Sequence, residues 1–255
     1  MKTLAVIPSR MGSTRYPNKP MEKIHGMPML GHVFHRTAMA KNADLTCVAT
    51  CDKEIFDYIT SIGGLAVMTA DTHERATDRS AEALLKVEAE TGQTFDQVAM
   101  IQGDEPMVDP ADIEAAIEIL SNDTSLSIVN LMGEITTEKS FRDPNDVKVV
   151  TDLKNNAMYF SREPIPSPWT GVNNINMKKQ LGLIFFRRDY LLKFNVLEQT
   201  PMEIIESCDM LRVLENGDTI RMVPIAGESI GVDTPEELIY VEEIMENDPI
   251  MRAYL

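Results

Sequence analysis

Cysteine, histidine and basic residues are all scarce in this chain of 255 residues. The three cysteines, Cys47, Cys51 and Cys208, are odd in number and scattered, which excludes a disulfide framework. Cys47 and Cys51 lie four apart without a second ligand pair, so a tetrahedral zinc centre is not indicated either. Free buried thiols point to a reducing compartment, the cytoplasm. Of four histidines only His32 and His35 share helical spacing, and no metal motif follows them. Lysine and arginine number 24 against 40 aspartates and glutamates, a net charge of −16. That balance argues against nucleic-acid binding, which needs a basic surface to displace counterions, and against adhesion to anionic membranes. Long hydrophobic runs are missing as well. The opening "TLAVIP" is too short for a signal peptide or a membrane span. An acidic surface also repels anionic substrates, so phosphate chemistry here requires local cations or metal ions.

Against that background one stretch stands out. "PSRMGSTRYPNKP", Pro8 to Pro20, gathers Arg10, Arg15 and Lys19 in a glycine-containing loop directly after the first apolar run. Backbone amides in such a turn can cradle phosphate oxygens, and arginine adds planar two-pronged contacts. The loop matches neither the P-loop lysine motif nor the dinucleotide-binding glycine fingerprint.

The rest of the first half alternates apolar runs of strand length with amphipathic stretches of helix length, five times over. Leu4 to Ile7, "LTCVAT", "LAVMT", "DQVAMI" and "SLSIVNLM" read as strands. The intervening helices carry stop and start signals. Gly63 and Gly64 close one, Thr77 or Asp78 is the expected cap of the next, and Asp109 with Pro110 opens another. This pattern predicts an α/β fold with a mostly parallel sheet flanked by helices. Ligands then sit at the carboxyl ends of the strands, where three loops should converge: Pro8–Pro20, Ala70–Arg79 and Gln102–Pro106. The second half is less regular. "DVKVVTD" and "AMYFSRE" flank a hairpin turn, and "TPMEIIESCDMLRVLENG" reads as one helix from Thr200 to Gly217. We expect a single domain over 1–255 with a small inserted α+β lobe at about 140–228. Trp169 falls in a loop, with packing, a lid and an interface all open to it.

"QGDEP" ends a strand in Asp104 and Glu105, projecting a carboxylate at the sheet's active edge. "GVDTPEEL" offers a second in Asp233, which capping of the last helix would equally explain. Hard cations such as magnesium bind one or two carboxylates plus substrate phosphates.

Taken together, "IPSRMGSTRYPNKPMEKIHGMPML", "QGDEPM", "DPNDVKVV", "YFSREPIP", "LRVLENG" and "GVDTPEEL" resemble, in the same order, the CMP-Kdo synthetase family, the 3-deoxy-manno-octulosonate cytidylyltransferases. The resemblance spans Ile7 to Leu238. It implies a nucleotide-diphospho-sugar transferase-like, Rossmann-like fold and a reaction in which CTP and a sugar acid give a CMP-sugar and pyrophosphate. It implies that Arg10, Arg15 and Lys19 hold the triphosphate, with Arg10, Lys19 and Asp104 as the catalytic set. Pro8, Ser9, Ser13, Thr77, Arg79 and Gln102 would complete the nucleotide site, and Asp104 with Asp233 would hold Mg2+. Arg162, Gln180, Asp209 and Met210 fall at its acceptor positions. It also implies a homodimer through the inserted lobe, for which "LIFF" and "YLLKF" are apolar enough.

The chain departs from the family pattern in three places. "HERATDR" puts Arg75 and Ala76 where a serine–glycine step is usual, close to the nucleotide. "QLGLIFF" has Gln180 for histidine and Ile184 for tyrosine. "DMLR" has Asp209 and Met210 for glutamate and glutamine. The last two changes fall at acceptor positions, so the alternatives are a different acid acceptor (a modified Kdo, another 2-keto sugar acid or a phosphonate), another base or a neutral sugar phosphate, or an inactive nucleotide-binding relative.

Overall fold

The computed structural model describes residues 1–12, 16–169 and 177–255. Strands β1 (Thr3–Pro8), β2 (Lys23–Ile24) and β3 (Met27–Pro28) precede helix α1 (Met29–Ala38). There follow β4 (Leu45–Thr50), α2 (Lys53–Ser61), β5 (Leu65–Met68), α3 (Ala76–Thr91), β6 (Gln97–Ile101), α4 (Pro110–Asn122) and β7 (Ile128–Glu134). The five apolar runs are all strands, as the alternation predicts. α3 starts earlier than expected: Arg75 occupies the cap position without a side-chain cap bond, and Thr77 and Asp78 lie in its first turn. α4 opens as its signals require, with Asp109 accepting the Ala111 N–H at 2.8 Å.

The second half contributes α5 (Glu138–Arg142), β8 (Lys148–Thr151), β9 (Ala157–Ser161), β10 (Lys178–Arg187), α6 (Arg188–Asn195), α7 (Pro201–Glu206), α8 (Met210–Glu215), β11 (Arg221–Pro224) and α9 (Pro235–Met245). The sheet runs β11-β7-β10-β6-β1-β4-β5, with β8 beside β10 and β9 beside β8. Along that path only β10 is reversed, antiparallel to both β6 and β7. Its amino end therefore lies at the same edge as the carboxyl ends of its neighbours. Successive residues of β1 feed opposite faces, as the two-residue strand period demands. Leu4 and Val6 pack under α3 and α6, while Ala5 and Ile7 pack under α1, α2 and α4.

Within the segment 140–228 all four strands, β8 to β11, belong to the nine-stranded sheet, with β8 and β9 branching from β10, α8 against β9 and α7 against α8. The single helix expected from Thr200 to Gly217 is two. Thr200 precedes α7 with Pro201 at its first position, as expected, and its N–H donates to Glu203 Oε2 at 3.3 Å, but Ser207 adopts a left-handed φ of 50° and breaks the run before α8. The break is held by a buried pair: Arg212 donates to Glu203 through Nε at 2.7 Å and Nη2 at 2.5 Å. "LIFF" and the apolar residues of "YLLKF" are core residues rather than interface. Trp169 is 92% exposed.

Candidate active site

A cleft of ≈ 1330 Å³ opens at the carboxyl edge of the sheet, lined by Pro8 to Arg10, Lys19, His73 to Ala76 and Gln102 to Glu105 among others. The three loops singled out in the sequence thus converge. The volume exceeds that of most single-ligand pockets and accommodates two substrates.

β1 delivers the first loop. The Ser9 N–H donates to Ala49 O at 2.9 Å, while its buried hydroxyl has no partner among the described residues. Arg10 is exposed and donates to His73 O at 3.3 Å, linking the first loop to the segment before α3. Met11 N–H is held by the Asp52 carboxylate at 2.8 Å. Asn18, at φ 60°, turns the chain into a short 3-10 turn that returns Lys19 to the cleft. Ser13 and Arg15 lie outside the described residues.

Lys19 is the hub. Its Nζ donates to Asp104 Oδ2 at 2.8 Å and to Asp233 Oδ1 at 2.9 Å. Burial works to lower the Lys19 pKa, but attraction to Asp104 and then Asp233 outweighs it and the pKa is raised. Asp233 does not cap α9. Thr234 does, with its Oγ1 accepting the Glu237 N–H at 3.3 Å, and Glu237 accepts the N–H groups of Thr234 and Asp233 at 2.9 and 2.7 Å. The Asp233 side chain is thereby left for the cleft. Two carboxylates that meet at one ammonium also suit a hard divalent cation that keeps water and phosphate oxygens as its other ligands. Among the described residues no group of three or more His, Cys, Asp or Glu forms a closed metal cage.

Glu105 turns the other way. It is buried and accepts from Ser229 Oγ at 2.7 Å and Gly182 N–H at 3.2 Å. Burial, reinforced by the charge of Asp104, pushes its pKa up to about 7. The Val232 N–H donates to Asp104 O at 2.9 Å, a second tie between the loop after β6 and the segment before α9.

Thr77 and Arg79 project from the first turn of α3. Thr77 is buried, with its hydroxyl 3.4 Å from Asp209 Oδ2. Arg79 is buried as well. One of its amino groups donates to the Thr69 hydroxyl, and Nη2 has no partner among the described residues. Gln102 packs on Gly182, where a Cβ would lie 2.9 Å from its side chain.

On the opposite wall, the reversal of β10 brings Gln180 to the cleft. Its amide donates to Asn130 Oδ1 at 2.8 Å and accepts from Cys208 Sγ at 3.4 Å. The break between α7 and α8 exposes Ser207, Cys208 and Asp209 to the same wall. Burial raises the Asp209 pKa, against the opposing charge of Arg75 and with the charge of Glu203 adding to it. Met210 is different: it is fully buried in the core and does not line the cleft, so direct contact with an acceptor is corrected to a packing role. Arg162 lines the cleft, yet three of its donors go to backbone carbonyls of Glu206, Pro144 and Ser207. Sequence reasoning missed Lys179, which pairs with Asp146 at 2.9 Å, and Ser229. Lys179 sits beside Gln180 on the strand entering the cleft, a signal that was available.

Comparison with known proteins gives the family and the fold. A family described as cytidylyltransferase matches residues 4–221. The 3-deoxy-manno-octulosonate cytidylyltransferase of Geobacter metallireducens is 42% identical over 253 residues, covering 95% of this chain and 97% of that one. A solved CMP:2-keto-3-deoxy-manno-octonic acid synthetase complexed with CTP superposes with a TM-score of 0.88 at 36% identity, covering 96% of this chain and 98% of the other. A putative glucose-1-phosphate thymidylyltransferase of Bacillus anthracis, at 14% identity and a TM-score of 0.67, covers 96% of this chain and 95% of its own, and shares the fold. The chain belongs to the cytidylyltransferase family, among the 3-deoxy-manno-octulosonate cytidylyltransferases.

Proposed function

We propose that the chain transfers CMP from CTP to 3-deoxy-manno-octulosonate, releasing pyrophosphate, as a soluble cytoplasmic step that supplies an activated sugar acid for lipopolysaccharide. The observation that carries the reading is Lys19 set between Asp104 and Asp233 beside the first loop. In this reaction the acceptor hydroxyl oxygen bonds to the α-phosphorus, the bond to the bridging oxygen of pyrophosphate breaks, and the hydroxyl proton passes to solvent. The demands are neutralisation of charge and in-line placement.

Arg10, Ser13, Arg15 and Lys19 hold the triphosphate. Pro8, Ser9, Thr77, Arg79 and Gln102 form the nucleoside side, where the unpartnered Ser9 hydroxyl and Arg79 Nη2 supply donors. Asp104 and Asp233 are the residues that would hold Mg2+, which supplies charge neutralisation at the α-phosphate and acidity at the attacking hydroxyl. Arg162, Gln180 and Asp209 face the acceptor. A homodimer would bury the exposed apolar side chains Met158, Ile204 and Ile205 on the lobe of β8–β9, α7 and α8.

Pyrophosphate release with CTP, magnesium and Kdo tests the reading, with UTP and ATP as competitors. Absence of both turnover and calorimetric CTP binding would sink it. A second reading, transfer to a related acid, is favoured by Gln180, whose amide is committed to Asn130 and Cys208. A panel of acids separates the two.

A further inference from the structure

We propose that Arg75 is a specificity-determining residue that binds the carboxylate of the acceptor acid, an inference that rests on the reading of the cleft given above. The sequence pattern places this position next to the nucleotide. The structure places it in the cleft wall between the loop after β1 and the wall of Cys208 and Asp209. Arg75 stands half-buried in the wall of the cleft at the N-terminal end of α3, whose first amides receive no side-chain cap. Thr77, two positions on, has its hydroxyl 3.4 Å from Asp209 Oδ2, which sets the first turn of α3 against that wall, and the Arg75 charge opposes the rise of the Asp209 pKa. Asp209 adjoins Cys208, and Cys208 donates to Gln180. The neighbours of Arg75 on that side therefore form one contiguous acceptor wall.

Most other cations of the cleft have at least one partner, although Arg79 keeps Nη2 unused. Lys19 is held by two carboxylates, Lys179 by Asp146, Arg162 by three carbonyls, Arg79 by Thr69 and Arg10 by His73 O. Lys139 is unpaired among the described residues, but it stands exposed on α5 at the outer rim. The guanidinium of Arg75 makes no hydrogen bond or ion pair with any described residue. It is thus a half-buried, two-pronged donor in the cleft wall with its fork unused, the geometry that receives a carboxylate. Asp209 beside it accepts hydrogen bonds from hydroxyls and not from a second anion. An arginine coupled to an aspartate suits a polyhydroxylated acid: one takes the carboxylate, the other the hydroxyls.

The test is steady-state kinetics of Arg75→Ala and Arg75→Lys at saturating CTP and magnesium. Removal of a charge-assisted contact should raise the KM for the acid about 10- to 100-fold, with the KM for CTP unchanged. Arg75→Lys should recover part of the loss, because it restores charge without the fork. The methyl ester of the acid supplies a second readout. The wild type should discriminate against the ester, and Arg75→Ala should lose that discrimination. Calorimetric CTP binding by each variant establishes that it is folded. An unchanged KM for the acid overturns the inference, as does a raised KM for CTP, which would make Arg75 a nucleotide contact. A wild-type protein that turns over no acid at all defeats the proposed function itself and takes this inference with it.

Discussion

Glu105 accepts a 2.7 Å hydrogen bond from Ser229, and that bond joins the two halves of the candidate cation site. Glu105 follows Asp104 in the loop after β6, and Ser229 precedes Asp233 in the segment leading to α9. The tie adds to the bonds that Glu237, Lys19 and the Val232 N–H already give this segment. Ser229→Ala should therefore raise the divalent cation concentration required for half-maximal turnover by about 10-fold, the scale of an outer partner that orients a metal ligand. The acceptor KM should not move. A cation titration of pyrophosphate release reads both, and an unchanged requirement would show that the segment is held without Glu105.

Lys19→Met separates charge at the triphosphate from charge at the carboxylates. The ammonium bonded to Asp104 and Asp233 competes for the oxygens a divalent cation would use. Its loss should cut turnover about 100-fold or more, as for the removal of a preorganised donor to a developing charge. At the same time the variant should bind the cation at least as tightly as the wild type by calorimetry. Loss of cation binding together with turnover would mean that Lys19 builds the site rather than serving the phosphates.

These residues also mark how far the sequence could be read. The parallel strands were legible because each apolar run ends in a loop rich in polar and turn-forming residues. Strands in a parallel sheet send such loops to one edge, so Lys19, Asp104 and the segment before Arg79 could be brought together on paper. Asp233 was ambiguous because aspartate and threonine, here at successive positions, are both preferred caps, and only the Thr234–Glu237 geometry separates them. The reversal of β10 was not legible, since antiparallel pairing with β6 leaves no mark on a strand whose residues 183–186 are buried on both faces. Nor was the break at Ser207. Thr200 and Gly217 are true start and stop signals, but the interruption between them depends on Glu203 and Arg212 meeting across it, nine positions apart.

Glu82 gives the protein an acid limit at the loop that carries Arg75. It accepts the Ala70 N–H at 2.9 Å, pairs with Lys86 at 2.7 Å and also bonds His73. Burial would raise its pKa, but these partners outweigh burial and bring it from 4.5 to about 2. A depressed carboxylate pKa contributes stability that is complete above the ordinary value and is lost as pH falls through the folded one. Glu82→Gln should cost about 1 kcal/mol at neutral pH, allowing for partial solvent screening. Its deficit against the wild type should shrink as pH falls from about 4.5 towards 2. Urea unfolding of both proteins across that range measures it, and a deficit independent of pH would assign the effect to packing.

The family resemblance assigns Met210 and Gln180 alike to the acceptor, yet their burial differs. Met210 is fully buried beneath α3 and α6, whereas Gln180 lines the cleft with its amide held by Asn130 and Cys208. Met210→Ala should destabilise the fold by about 2–5 kcal/mol, as a large-to-small change in a packed core does, while leaving the acceptor KM within a few-fold of wild type at low temperature. Gln180→Ala should do the reverse. It keeps most of the stability, because the lost atoms face a wet cleft, and it raises the acceptor KM by about 10-fold through one lost hydrogen bond and the disturbance of its two partners. Thermal unfolding and acceptor kinetics on the same two variants decide the matter. An acceptor KM that rises for Met210→Ala as much as for Gln180→Ala would mean that α8 positions the wall of the cleft instead of merely packing behind it.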